Sequence, residues 1–335
     1  FLDKLRLSRK GIDMSKEEIL FSIGNPGLGS GMSVPEAAIL AEKLGYDGFH
    51  TGASLLGYGD GYDGIMVMAQ AAAVTERVLL GPSVLILPFY HPLSLAKQLA
   101  TLDHMSKGRI YLAVGVGERP KIHEIYGIPM HERGERTNDY IEIMKGIWTQ
   151  SNYRYSGKFF EFGEIPQEPT YQKPHIPIWI GGRIGGVEMG PDGQRRFKSK
   201  RAAMRRAGRY GDGWIPYFTT PDVYKSTVQI VTDDAKQSGR DKDSITMAMH
   251  LFGAVNDDYD KALQLAAEYN PFGGQSMDFS ARYDLVGSPK DWIKRLQDYV
   301  DAGVRHFNIQ RPLVPPRETR KQMERIAKEV IPYFK

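Results

Sequence analysis

The feature that most constrains this chain is its rhythm. From Ile19 onward, short β-rich apolar runs alternate with amphipathic helical stretches. Such alternation imposes parallel strands, because each strand is entered from the same end after a helical crossover. Eight runs read as strands: ILFSIG (19–24), YDGFHT (46–51), VLLGPSVLIL (78–87), RIYLAVGV (109–116), IPIWIGG (176–182), GDGWIPY (211–217), ITMAMHLFGAV (245–255) and VRHFNIQ (304–310). Helical periodicity falls between them, for example over 34–45, where Pro35 and Glu36 suit a first turn and Gly45 an exit. Further helices are expected over 64–75, 93–106, 132–150, 200–210, 221–239, 260–269, 289–303 and 317–334. No repeat, low-complexity tract or linker divides the 335 residues. Eight right-handed βα units favour a closed (β/α)8 TIM barrel, one domain over 1–335, above an open doubly wound sheet.

Two departures from the rhythm are visible. The aromatic alternation of YRYSGKFFEF (153–162) around Ser-Gly predicts a hairpin inserted between strands four and five. A basic run, VEMGPDGQRRFKSKR (187–201), forms an insertion after strand five. It carries Arg195, Arg196, Lys198, Lys200 and Arg201, and reads either as a solvated face or as a clamp for an anion.

Composition narrows the function classes. A hydrophobic fraction of 41% and a charged fraction of 25% are those of a soluble globular protein with a sizeable core. The absence of cysteine excludes a disulfide scaffold, thiolate metal sites and a thiol nucleophile. A net charge of +4 is too small to suggest a nucleic-acid partner. No apolar stretch is long enough for a membrane helix, and the first ten residues lack a signal-peptide core. A soluble, cytoplasmic protein is expected. The histidines show no His-x-His spacing, which argues against a metal hydrolase.

A barrel gathers the loops that follow its strands at one mouth, where active sites lie. RIYLAVGVGE (109–118) therefore ends at that mouth on Gly115, Val116, Gly117 and Glu118. Glycines packing nothing at a strand end read either as a plain turn or as open backbone beside a ligand. Glu118 either faces that ligand or is a loop carboxylate paired with Arg119 or Arg133. His50, inside strand two, is equally a barrel-lining residue or a catalytic one.

The run VLLGPSVLILPFYHPLSLAKQLATLDHMSKGRIYLAVGVGE resembles the core of the bacterial luciferase-like superfamily of flavin- and deazaflavin-dependent oxidoreductases. MHERGERTNDYIEIMKGIW, the FFEF hairpin, PHIPIWIGGR, RRAGRYGDGWIP and LVGSPKDWIKRLQDYVDAGVRHFNIQ extend the resemblance in order, from Ile19 to Gln310. It implies a TIM barrel and a cofactor of the flavin type. It also implies a cis peptide at Ser83-Val84 behind the ring, and the strand-four motif Gly115-Val116-Gly117 beside it. Glu118 matches an acid implicated in proton transfer, and Gly181-Gly182-Arg183 leads into a phosphate-binding turn. The histidine many members carry after strand two is replaced here by Ser54.

Two cofactor readings follow. The first is a monooxygenase using reduced FMN from a separate flavin reductase, acting with O2 on a small organic substrate. Oxygen chemistry needs a dry pocket, for which Leu55, Leu56, Phe89, Tyr90, Phe159 and Phe160 are candidate walls. The second is a dehydrogenase or reductase using coenzyme F420, toward which GVGE and Ser83-Val84 lean and from which the missing histidine leans away. FMN is placed ahead as the commoner cofactor. A non-catalytic flavin-binding relative is a third possibility. No metal is expected. A homodimer is, through the small-residue helix GIMVMAQAAAV (64–74), whose alanines permit close approach.

Overall fold

The computed structural model describes residues 18–52, 62–183, 186–189, 195–198 and 201–335, the side chains of 186–189 and 195–198 excepted. In chain order it runs β1 (Leu20–Gly24), α1 (Val34–Lys43), β2 (Gly48–Thr51), α2 (Gly64–Val74), β3 (Leu79–Pro82), β4 (Leu85–Ile86) and α3 (Pro92–Met105). There follow β5 (Leu112–Gly115), α4 (Pro120–Ile125), α5 (Arg133–Thr149), the hairpin β6 (Tyr153–Ser156) and β7 (Glu161–Ile165), and β8 (Ile178–Gly181). Next come β9 (Gly186–Met189), β10 (Arg195–Lys198), α6 (Ala202–Tyr210), β11 (Gly213–Ile215), α7 (Pro221–Gln237), β12 (Thr246–Leu251) and β13 (Gly253–Val255). The chain closes with α8 (Tyr259–Glu268), α9 (Met277–Tyr283), β14 (Leu285–Gly287), α10 (Pro289–Asp301), β15 (His306–Ile309) and α11 (Thr319–Glu329).

The main sheet has the order β3-β2-β1-β15-β12-β11-β8-β5-β4. Its two ends are halves of one strand, separated by a cis peptide between Ser83 and Val84. Leu80 N donates to Arg109 O at 2.8 Å and Tyr111 N to Leu80 O at 3.0 Å, so the sheet closes on itself. The eight expected strands thus form the expected parallel barrel.

Alternation within each strand sorts the residues. Phe21, Ile23, Phe49, Ile178, Ile180, Phe307 and Ile309 join the large core beneath the helices. Tyr111, Ala113, Trp179, Ile215 and Ala248 pack as a separate cluster inside the barrel. Tyr111 lies over Gly81, where an added Cβ would fall 2.0 Å from the ring. The helices start where the sequence provides caps: Ser33 and Glu36 form a capping box on α1, and Ser288 and Asp291 another on α10.

Several expectations are corrected. Strand seven, read as one run over 245–255, leaves the barrel after Leu251, and β13 pairs instead with β14, which was not foreseen. The run stays apolar because Phe252 and Ala254 enter a satellite core with Phe218, Leu263 and Leu313. A short helix, α9, precedes β14. The basic insertion is an antiparallel hairpin, β9 with β10. The last helix stops at Glu329, before Pro332, whose ring cannot extend it. Ser54, Leu55, Leu56 and Lys200 lie outside the described residues. No helix among the described residues is long and apolar enough to cross a membrane.

Candidate active site at the barrel mouth

Below the mouth, the barrel interior is polar and partly paired, with His306 Nδ1 and Asn308 Oδ1 left without a partner. Ser22 Oγ and His306 Nε2 are hydrogen-bonded at 2.6 Å, and Asn308 Nδ2 donates to the Tyr111 hydroxyl at 2.8 Å and to Ser83 Oγ at 3.4 Å. The Tyr111 and Trp179 rings stack at 4.2 Å and complete this floor. Burial keeps His306 neutral, its pKa pushed down to about 3.

One level higher, the strand exits diverge in character. On the arc β2-β1-β15, Asn25 Nδ2, both ring nitrogens of His50 and Gln310 Oε1 are buried and lack a hydrogen-bond partner. His250, on the adjoining β12, meets His50 edge-on with ring centroids 5.5 Å apart. Burial lowers the pKa of His250 to about 4 and that of His50 well below the ordinary value, with the neighbouring histidines adding to the effect at His50. Both rings are therefore neutral at physiological pH.

The opposite arc is filled by the chain itself. A Cβ on Gly115 would lie 3.1 Å from Val84 Cγ2, and one on Gly181 3.1 Å from Val84 Cγ1. Val84 is therefore wedged between the ends of β5 and β8. Gly117 has φ +77°, and a Cβ there would fall 2.7 Å from His123 Nε2 and 2.9 Å from Ile86 Cγ2. The protein groups nearest these glycines are Val84, Ile86 and His123.

Glu118 is exposed beyond this arc and accepts a hydrogen bond from the Tyr217 hydroxyl at 3.2 Å. Arg133 turns to the Met130 carbonyl instead. Tyr217 is pushed up to about 12, first by burial and then by the Glu118 charge. The Arg183 guanidinium lies 5.4 Å from the Tyr217 ring centroid, so Glu118, Tyr217 and Arg183 form one cluster. Gly182, at φ +136°, abuts α6: a Cβ there would lie 2.6 Å from Ala203.

The structure thus brings Glu118 and Arg183 together through Tyr217, and sets Ser83, Val84, Gly115 and Gly181 around one contact. Val116 follows at the β5 exit. His50 belongs to the polar arc. Of the candidate dry walls, Phe89 packs on Tyr126 and His123, Phe160 on Tyr140 and Phe162, and Phe159 beneath Arg136. Tyr90 is tied through its carbonyl to the Tyr140 hydroxyl. Sequence reasoning missed Asn25, Tyr217, His250 and Gln310. One signal was readable: VRHFNIQ places His306, Asn308 and Gln310 at alternate positions, the mark of a polar face inside a barrel.

The luciferase-like monooxygenase family model matches residues 22–189 and 198–306, and the chain belongs to that family. An uncharacterised protein of Mycobacterium tuberculosis is 35% identical over 176 residues, 52% of this chain and 56% of that protein. The chain therefore spans about half the length of that relative. An F420-dependent glucose-6-phosphate dehydrogenase of Microbacterium testaceum is 28% identical over 311 residues, covering 82% of this chain and 85% of the relative. Among solved structures, an F420-dependent secondary alcohol dehydrogenase in complex with an F420-acetone adduct superposes with a TM-score of 0.78 at 20% identity, covering 95% of this chain and 99% of that one.

Proposed function

We propose that the chain is an oxidoreductase that uses coenzyme F420 to move hydride to or from a small organic substrate bound at the barrel mouth. The observation that supports this reading is the unpartnered arc. Asn25, His50 and Gln310 offer buried donors and acceptors that the heteroatom edge of a flavin or deazaflavin ring completes, and the choice of F420 follows the F420-dependent glucose-6-phosphate dehydrogenase relative that covers 82% of this chain. Val84, held between Gly115 and Gly181, offers such a ring an apolar bed, and Arg183 beside the glycine-opened backbone of Gly181-Gly182 suits its phosphate. The residues present therefore fit the group, which when bound supplies a two-electron hydride carrier without oxygen chemistry.

The chain's own part is proton handling and orientation. Tyr217 stays protonated and donates to Glu118, leaving the second carboxylate oxygen to take or return the proton at the substrate's oxygen. Neutral His50 and His250 orient ring and substrate without adding charge. On this reading Glu118→Gln lowers turnover by roughly 10²–10⁴-fold with cofactor affinity unchanged.

The second reading is a monooxygenase using reduced FMN from a separate reductase, which the family's description favours. Separate titrations of the apoprotein with F420 and with FMN decide between them. Tighter binding of F420 is expected, and tight FMN binding with no F420 binding contradicts the proposal. Homodimerisation through α2, where Met66 is 60% and Val74 37% exposed, completes the proposal and is tested by light scattering.

A further inference from the structure

A cavity of about 620 Å³ opens outside the mouth, in the wall between α5 and α6. Gly134, Glu135 and Asn138 line one side, and an arginine row on α6 lines the other. Arg201, Arg205 and Arg209 recur at every fourth residue, so they share one helix face. Arg201 is the N-cap of α6, Arg205 follows one turn on, and the first turn holds no acid and no side-chain cap. Arg201 at this end opposes the helix dipole, Arg209 in the last turn complements it, and the three like charges repel one another.

The ion pairs among the described residues involve none of Arg201, Arg205 and Arg209, and Glu135 is taken by Lys158 at 2.7 Å. Behind the row, Arg206 is only 7% exposed. Its Nε donates to Asn138 Oδ1 at 2.6 Å and its Nη2 to Gly134 O at 2.8 Å, which fixes its guanidinium against the cavity. Nearby Arg133 carries a buried Nε with no partner. The exposed arginine row thus surrounds a guanidinium that is itself fixed and buried.

We propose that this cavity binds a multiply charged oxyanion, a diphosphate or a run of carboxylates, between the arginine row and Arg206. The site is distinct from the mouth turn at Gly181-Gly182-Arg183, and the argument does not depend on which cofactor the mouth takes. Two sources share the chemistry. One is a free polyanion. The other is the anionic end of a cofactor seated in the mouth, since α6 begins against Gly182.

Inorganic pyrophosphate is the probe, titrated calorimetrically into the full chain at low and at physiological salt. The wild type should bind, more weakly as salt rises. R205A/R209A should bind at least tenfold more weakly with an unchanged melting temperature, and R201A should show a smaller loss. Absence of binding by the wild type, or equal affinity in all three, overturns the proposal. The double variant is then titrated with F420 and with FMN. Weaker binding of either assigns the site to that cofactor's anionic end, and unchanged cofactor affinity beside lost pyrophosphate binding assigns it to a free polyanion.

Discussion

Two levels of the barrel interior use the same residue types to opposite ends. In the lower level each polar side chain has at least one partner, Ser22 with His306 and Asn308 with Tyr111 and Ser83, while one further atom on His306 and one on Asn308 stay unpaired. One level up, Asn25 Nδ2, both ring nitrogens of His50 and Gln310 Oε1 are buried without a formed hydrogen bond, although Gln310 lies close enough to His50 to act on its charge. Each unsatisfied buried group costs roughly 1–3 kcal/mol, so a fold that gathers several in one arc keeps them for a molecule that completes them. The lower level holds the barrel together, and the upper level is where a ligand is read.

The packed side of the mouth allows the hardest test of that division. Gly117→Val forces a branched residue into φ +77° and drives its side chain into His123 and Ile86. A loss of about 3 kcal/mol in urea denaturation is expected. Near wild-type stability would show that His123 and Ile86 yield to a side chain at this position. Asn308→Ala removes the donor to the buried Tyr111 hydroxyl and should cost about 2 kcal/mol of stability while leaving cofactor affinity alone. The reverse pattern would exchange the roles of the two levels.

A smaller effect lies in the pH dependence. His250, held to about 4 in the fold, has an ordinary value of 6.5. Between these values the unfolded chain binds a proton that the folded chain refuses, so the contribution is intact above pH 6.5 and is lost as pH falls toward 4. His306, at about 3, extends the window lower. Since carboxylates also titrate there, the check is a difference: His250→Gln should lose less stability than the wild type between pH 6.5 and 4. Parallel curves would show that burial does not hold His250 neutral.

Much of this was legible in the residues. Alternation of β and α runs yields the eight strands and their parallel closure, and Gly-Pro-Ser marks the break that the cis bond at Ser83-Val84 makes in strand three. Gly115 and Gly117 signal close approach, but not by which atoms. Val84 and His123 arrive from other elements, and no local pattern records that. Tyr217, His250 and Gln310 were missed for the same reason, since each reaches the mouth only when its strand takes its place in the ring. Strand seven was over-extended because a second core continues its apolar run past the barrel's rim.

His50→Leu tests the division of labour most directly, because it replaces an unpartnered buried ring with an apolar side chain of similar size. Stability by urea denaturation and affinity for the cofactor that the wild type binds are measured on the same preparation. With the polar arc kept for a ligand, stability stays equal or rises, since no internal hydrogen bond is lost, and cofactor affinity falls at least tenfold. A drop in stability of more than about 2 kcal/mol with unchanged affinity would make His50 part of the barrel's framework and contradict the account.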